Sequence, residues 1–156
     1  MSTHKKEEQL RFNLPEIDRE PTRDRVEGAL ETCRLYMQIG YHPEIEAKTT
    51  PAYSVTPASQ TNAFHSSTES TAQKNVDEER RRREHVRRVT AAVDRLGPLE
   101  KKIITKRYLE DDDVVDYAVW PELNLSERKY YRIKARAFYK LALMLKLEVY
   151  VEDESA

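Results

Sequence analysis

Val114-Val115-Asp116-Tyr117-Ala118-Val119-Trp120-Pro121-Glu122-Leu123-Asn124-Leu125-Ser126, continued by Glu127-Arg128-Lys129-Tyr130-Tyr131-Arg132-Ile133-Lys134-Ala135-Arg136-Ala137, reads as a helix, a tight turn and a second helix. Leu123 and Leu125 are apolar anchors around Asn124, which tolerates positive φ, and Ser126 offers a hydroxyl to cap the helix that follows. Beyond the cap, Tyr130, Ile133, Ala137, Leu141 and Met144 recur at intervals of three and four, so one face of the second helix is apolar. Glu127, Arg128, Tyr131, Arg132 and Lys134 fall elsewhere on its first turns. Between Ser126 and Lys146 seven basic residues face the single acid Glu127, a local charge of +6 that suits a phosphate backbone. A basic amphipathic helix also occurs in ordinary bundles. The short turn, the serine cap, the first-turn charges and a compact helix just upstream together favour a helix that enters a DNA groove.

Working outward, Pro98 suits the first position of a further helix, where its missing N–H costs nothing, and Leu99, Ile103, Ile104 and Tyr108 supply the inner face. The preceding helix is expected over Val76 to Leu96, with Val86, Val89, Val93 and Leu96 inward and Gly97-Pro98 as the stop. Its outer face carries the basic run Arg80 to Arg88. Glu79 with Arg83, and Glu84 with Arg88, have the spacing of surface ion pairs, so a solvated face is as good a reading as nucleic-acid contact. Asp111-Asp112-Asp113 places negative charge where a helix N-terminus would welcome it, and its short loop lacks calcium-loop spacing.

Nearer the N-terminus, Val26, Leu30, Cys33 and Met37 keep helical spacing after Pro21 and end at Gly40. This one-sided helix must dock on the C-terminal domain, on a second copy or on another protein. Between it and Val76 the composition turns to Ser, Thr, Pro and Ala without periodicity, the pattern of a flexible linker. The organisation expected is therefore an N-terminal arm and helix over 1–42, a linker over 43–75, a helix-turn-helix domain over 76–147 and an acidic tail over 148–156. The fold class is all-α.

Composition bounds the chemistry. In 156 residues, 35% are charged and 38% hydrophobic, too polar for one core filling the whole length. The net charge of −1 means that any DNA binding must come from local asymmetry. Cys33 is the single cysteine, which excludes an intrachain disulfide and a multi-cysteine zinc site and points to a reducing compartment. The four histidines lie in different segments without metal-ligand spacing, and no glycine-rich phosphate loop or nucleophile flanked by a base appears. No enzyme, cofactor, metal or small-molecule substrate is expected. Neither a signal peptide nor a membrane span is legible, so a soluble, cytoplasmic protein is expected.

Leu99-Glu100-Lys101-Lys102-Ile103-Ile104 with Arg107-Tyr108, then Asp116-Tyr117, Glu122-Leu123-Asn124-Leu125-Ser126 and Tyr130-Tyr131-Arg132-Ile133-Lys134 with Ala137, resembles the ArpU-like phage transcriptional regulators. These in turn are similar to region 4 of sigma factors. The likeness covers residues 76 to 146, and more loosely the N-terminal helix and linker. It implies a regulator, most simply an activator, of phage or prophage late genes for packaging, structure or lysis in Gram-positive bacteria. Its partners would be double-stranded DNA, host RNA polymerase and a second copy of the chain. Ser126, Glu127, Arg128, Lys129, Tyr131, Arg132 and Lys134 would form the DNA-binding set, with Arg81, Arg82 and Arg88 as backbone contacts. Arginine can pair bidentately with guanine, and Glu127 can accept from a cytosine amino group. One departure stands out: Pro121 lies inside the scaffolding helix, which must be short, kinked or restarted near Trp120.

Two other functions fit the same residues. A small DNA-packaging subunit of a phage terminase uses such helices in a ring, and light scattering separates an eight- or nine-fold assembly from a monomer or dimer. An adaptor that binds polymerase or a sigma factor without reading DNA is separated by a salt titration on promoter DNA.

Overall fold

The structure, a computed structural model, describes residues 16–41 and 67–151. Most of the stretch assigned to a linker, 43–66, and the end of the acidic tail, 152–156, lie outside them. Among the described residues the chain is all-α, with five helices: α1 (Arg19–Gln38), α2 (Ser67–Asp94), α3 (Pro98–Ile104), α4 (Asp116–Glu122) and α5 (Glu127–Leu145). A π-helical turn, Thr105–Leu109, continues α3, and Glu110 N–H donates to Thr105 C=O at 3.0 Å. The wider turn rotates the residues that follow it about the axis.

The apolar faces expected from periodicity are the buried ones. Val26, Leu30 and Cys33 of α1, Val86, Val89, Val93 and Leu96 around α2, Ile104 and Tyr108 after α3, and Ala137, Leu141 and Leu145 of α5 close into one core. A smaller second core unites Ile103, Val119, Tyr130 and Ile133, flanked by Leu99, Trp120, Leu123 and Leu125. The second core holds the helix–turn–helix together, and the first attaches it to α1 and α2.

One expectation is corrected. Helix α2 begins at Ser67, well before Val76, so residues 67–75 are helix and not linker. Serine and threonine suggested a linker there, yet Ala72, Gln73 and Lys74 are helix formers, and Gln73 bonds Asp77 at 3.5 Å one turn on. Of the three docking places open to α1, the structure shows the first, the C-terminal domain, whose main core it closes. Across this contact Tyr108 Oη donates to Glu27 at 3.0 Å, and Arg34 pairs with Asp112 at 2.9 Å while also donating to Tyr108 C=O. Asp112 of the acidic triplet thus pairs with α1, a contact that the sequence reading did not expect.

The start of the tail is also structural. Asp18 N–H donates to Val149 C=O at 2.7 Å, Val151 N–H donates to Glu16 C=O at 2.8 Å, and Ile17 and Tyr150 form an isolated antiparallel bridge. Val149 N–H donates to the buried Thr22 hydroxyl at 2.9 Å. Beside this clasp, α1 and α5 leave an open, mostly apolar groove of about 660 Å³ lined by Val26, Phe138, Tyr139, Leu143 and Tyr150.

Candidate nucleic-acid interface

The turn after α4 has the geometry its residues require. Asn124 is left-handed, with φ 54°; Leu125 N–H donates to Trp120 C=O at 2.8 Å and Asn124 N–H to Pro121 C=O at 3.0 Å. This is a Schellman motif, and Leu125 and Trp120 both pack on the second core, the apolar contact that accompanies it. Helix α4 is only seven residues long, so Pro121 interrupts a single bond, the one Tyr117 C=O would have accepted. Tyr117 is exposed, so water can replace that donor. Ser126 then caps α5, its Oγ accepting from Lys129 N–H at 3.3 Å.

Beyond the cap, Tyr130 and Ile133 point into the core, while Glu127, Arg128, Lys129 and Arg132 are exposed. Tyr131 is 43% exposed and stacks beside Trp120 and Tyr130, with ring centroids 5.8 and 5.3 Å away. One wall of the surface is thus aromatic and the rest is charged and solvated.

Lys134 behaves differently from its neighbours. Its side chain is 12% exposed, and Nζ lies 2.9 and 3.0 Å from the two carboxylate oxygens of Asp116. The same carboxylate accepts from Tyr130 Oη at 2.5 Å and lies 3.2 Å from Arg107 Nε. In the structure Lys134 is a tie between α5 and α4, unlike the exposed Glu127, Arg128, Lys129 and Arg132. Burial pushes the Asp116 carboxyl up. The hydrogen bonds from Tyr130 and Lys134, with the charges of Lys134 and Arg107, outweigh that and hold it below the usual carboxylate range. Tyr130 moves the other way, pushed up by burial and by the Asp116 carboxylate that accepts its proton.

A second tie escaped the sequence reading. Glu100 is buried, accepts from Gly97 N–H at 2.9 Å at the start of α3, and pairs with Lys140 of α5 at 2.8 Å. Burial raises its pKa, but the Lys140 and Gly97 hydrogen bonds and the nearby charges outweigh that and leave it lowered. A Glu three residues after a Gly-Pro helix start was the available signal.

The basic run of α2 does not join the α5 surface. Arg81 is exposed. Arg82 pairs with Glu78 at 3.1 Å and sits over the rings of Tyr36 and Tyr41 at the end of α1. Arg88 donates to Leu145 C=O at 3.3 Å, at the C-terminus of α5, while Ser126 marks the opposite end of that 19-residue helix. At 1.5 Å per residue those ends are roughly 27 Å apart. Glu84, expected to pair with Arg88, pairs with Arg87 instead; Glu79 does pair with Arg83. Cys33 is fully buried, and burial pushes its thiol up to about 11, so it is an apolar filler at neutral pH. Among the described residues no group of His, Cys, Asp and Glu is arranged to hold a metal ion, and no helix is long and apolar enough to cross a membrane.

No family model matches the chain, and no solved structure gives a significant match. Two phage-related relatives do. An uncharacterized phage-related protein of Listeria innocua, Lin1259/Lin1739, is 28% identical over 138 residues, covering 88% of this chain and 96% of the relative. Protein Gp66 of Listeria phage A118 is 31% identical over 100 residues, covering 64% of this chain and 68% of the relative. An all-α chain with this span of likeness to both is phage-related, and it belongs to the same family as Protein Gp66 of Listeria phage A118.

Proposed function

We propose that this chain is a sequence-specific DNA-binding regulator of phage or prophage late genes, acting as an activator in the host cytoplasm. The observation that carries the reading is the start of α5. Glu127, Arg128, Lys129 and Arg132 project into solvent from a helix whose entry is set by a Schellman turn, a serine cap and the Asp116 ties. Groove readers need that combination: base-reading side chains must be exposed, while the helix bearing them is held rigidly. The resemblance to ArpU-like regulators, and through them to sigma region 4, supplies the late-gene role, with host RNA polymerase and a second copy of the chain as further partners. The phage relatives agree with this setting.

Arg128 and Arg132 are four residues apart and share a face, with Glu127 and Tyr131 beside them. Selection from a randomised DNA pool tests the reading. Arg128→Ala or Arg132→Ala should lose about 1–3 kcal/mol on the selected site and relax the preference at a defined base position, with melting nearly unchanged. Ile133→Asp, which buries a charge in the second core, should instead unfold the domain. If both arginine variants select the same sequences with wild-type affinity, α5 is not the reader.

A further inference from the structure

Resting on that reading, we infer that Asp116 is a specificity-determining positioning residue, which withdraws Lys134 from DNA so that α5 offers only the side chains of its first turns. Lys134 follows Tyr131 by three residues and Glu127 by seven, two helical turns, so by spacing it lies on the reading stripe. An ammonium free at that position would reach phosphates whatever the base sequence, adding affinity without discrimination.

The structure prevents this. Asp116 grips Lys134 through both carboxylate oxygens, and the ammonium lies over the rings of Tyr108 and Phe138, 5.1 and 5.6 Å from their centroids. Arg107, 20% exposed, has its Nε 3.2 Å from the same carboxylate without a hydrogen bond to it, and its guanidinium lies 4.5 Å from the Tyr108 centroid. Two cations therefore lie near one anion. Asp116 also sets geometry: it is the first residue of α4, and its bond from Tyr130 ties α4 to the first turns of α5. Helix α4 has only Val119 fully in the core, and the Asp116 ties act beside the packing of Trp120, Leu123 and Leu125 and the Lys106–Glu122 pair in setting its angle to the reading helix.

Asp116→Asn keeps the shape and removes the charge. Two predicted readouts differ in sign from a merely structural role, which would weaken binding to every sequence. Without DNA, Lys134 should become readily acylated by an amine-reactive ester, as followed by peptide mass spectrometry, whereas the wild-type lysine is protected. With mixed-sequence DNA, affinity should rise several-fold and the log–log salt slope should steepen by about one unit, while the advantage of the selected site shrinks. Unchanged Lys134 labelling, or weaker mixed-sequence binding, overturns the inference. Should Asp116→Asn fail to fold, Lys134→Gln serves in its place: the salt slope should stay at wild type, because a cation withdrawn from phosphates releases no counterions, and a shallower slope would show that Lys134 contacts DNA and overturn the masking. Wild-type chain that selects no sequence while Asp116→Asn still unmasks Lys134 overturns the DNA reading and the specificity role together. Selection that works in both proteins alike overturns only the latter.

Discussion

Three single residues end helices in the left-handed conformation, and they differ in what that costs. Gly40, Asn124 and Lys146 have φ of 105°, 54° and 57° at the ends of α1, α4 and α5. Each follows the same pattern, with Tyr41 N–H bonded to Tyr36 C=O and Leu147 N–H to Ala142 C=O as in the turn after α4. Glycine bears no Cβ penalty there, asparagine a reduced one, and lysine the full clash of about 1–2 kcal/mol. Lys146→Gly should therefore raise stability by roughly 1 kcal/mol in urea unfolding, part of the relief being offset by the freer unfolded chain. Acid sensitivity also has named residues. Asp116 and Glu100 both have depressed folded-state pKa values, so their stabilisation is complete above the ordinary carboxylate range and is lost as pH falls through the folded values. Melting should be nearly flat from about pH 7 to pH 5 and drop below about pH 4, and a Glu100→Gln, Asp116→Asn variant should show a shallower drop.

At the scale of elements, α4 and α5 depend on different forces. Helix α5 has a capped start, a continuous apolar stripe and contact with both cores, so its propensity and its packing agree. Helix α4 is short, carries Pro121 and rests on Val119, the partly buried Trp120 and the Asp116 ties. Removing the cap by Ser126→Ala should cost about 1 kcal/mol in chemical denaturation, and the amides of α5's first turn should exchange faster while those near Leu141 keep their protection. The N-terminal part of α2 is a third case. It projects with Val76 60% exposed and is supported by the Glu78–Arg82 and Glu79–Arg83 pairs, surface interactions that add little to stability.

For the whole molecule, the decisive contact is α1 against the C-terminal helices. Val26, Leu30 and Cys33 are fully buried among Val86, Val89, Tyr108 and Phe138. Leaving α1 out would expose that side of the main core, with each fully uncovered aliphatic side chain losing about 1.5–3 kcal/mol. A fragment of residues 67–151 should lose cooperative thermal melting, and adding a peptide of residues 16–41 should restore it. Cooperative melting of the fragment alone would show that the helix–turn–helix domain is independent after all.

The division between sequence and tertiary structure follows the range of the forces. The buried faces of α1, α2, α3 and α5, the stop at Gly97-Pro98 and the turn at Leu123-Asn124-Leu125-Ser126 were legible in the sequence. A helix repeats its environment every three or four residues, and caps and left-handed turns are set by backbone chemistry within one turn. The fate of the charges was not legible. Lys134 finds Asp116 across 18 residues, Lys140 finds Glu100 across 40, and Arg34 reaches Tyr108 C=O across 74. A charge is nearly as well accommodated in water as in an ion pair, so it leaves no periodic trace. Only the packed helices decide which cations on α5 remain exposed and which serve as ties.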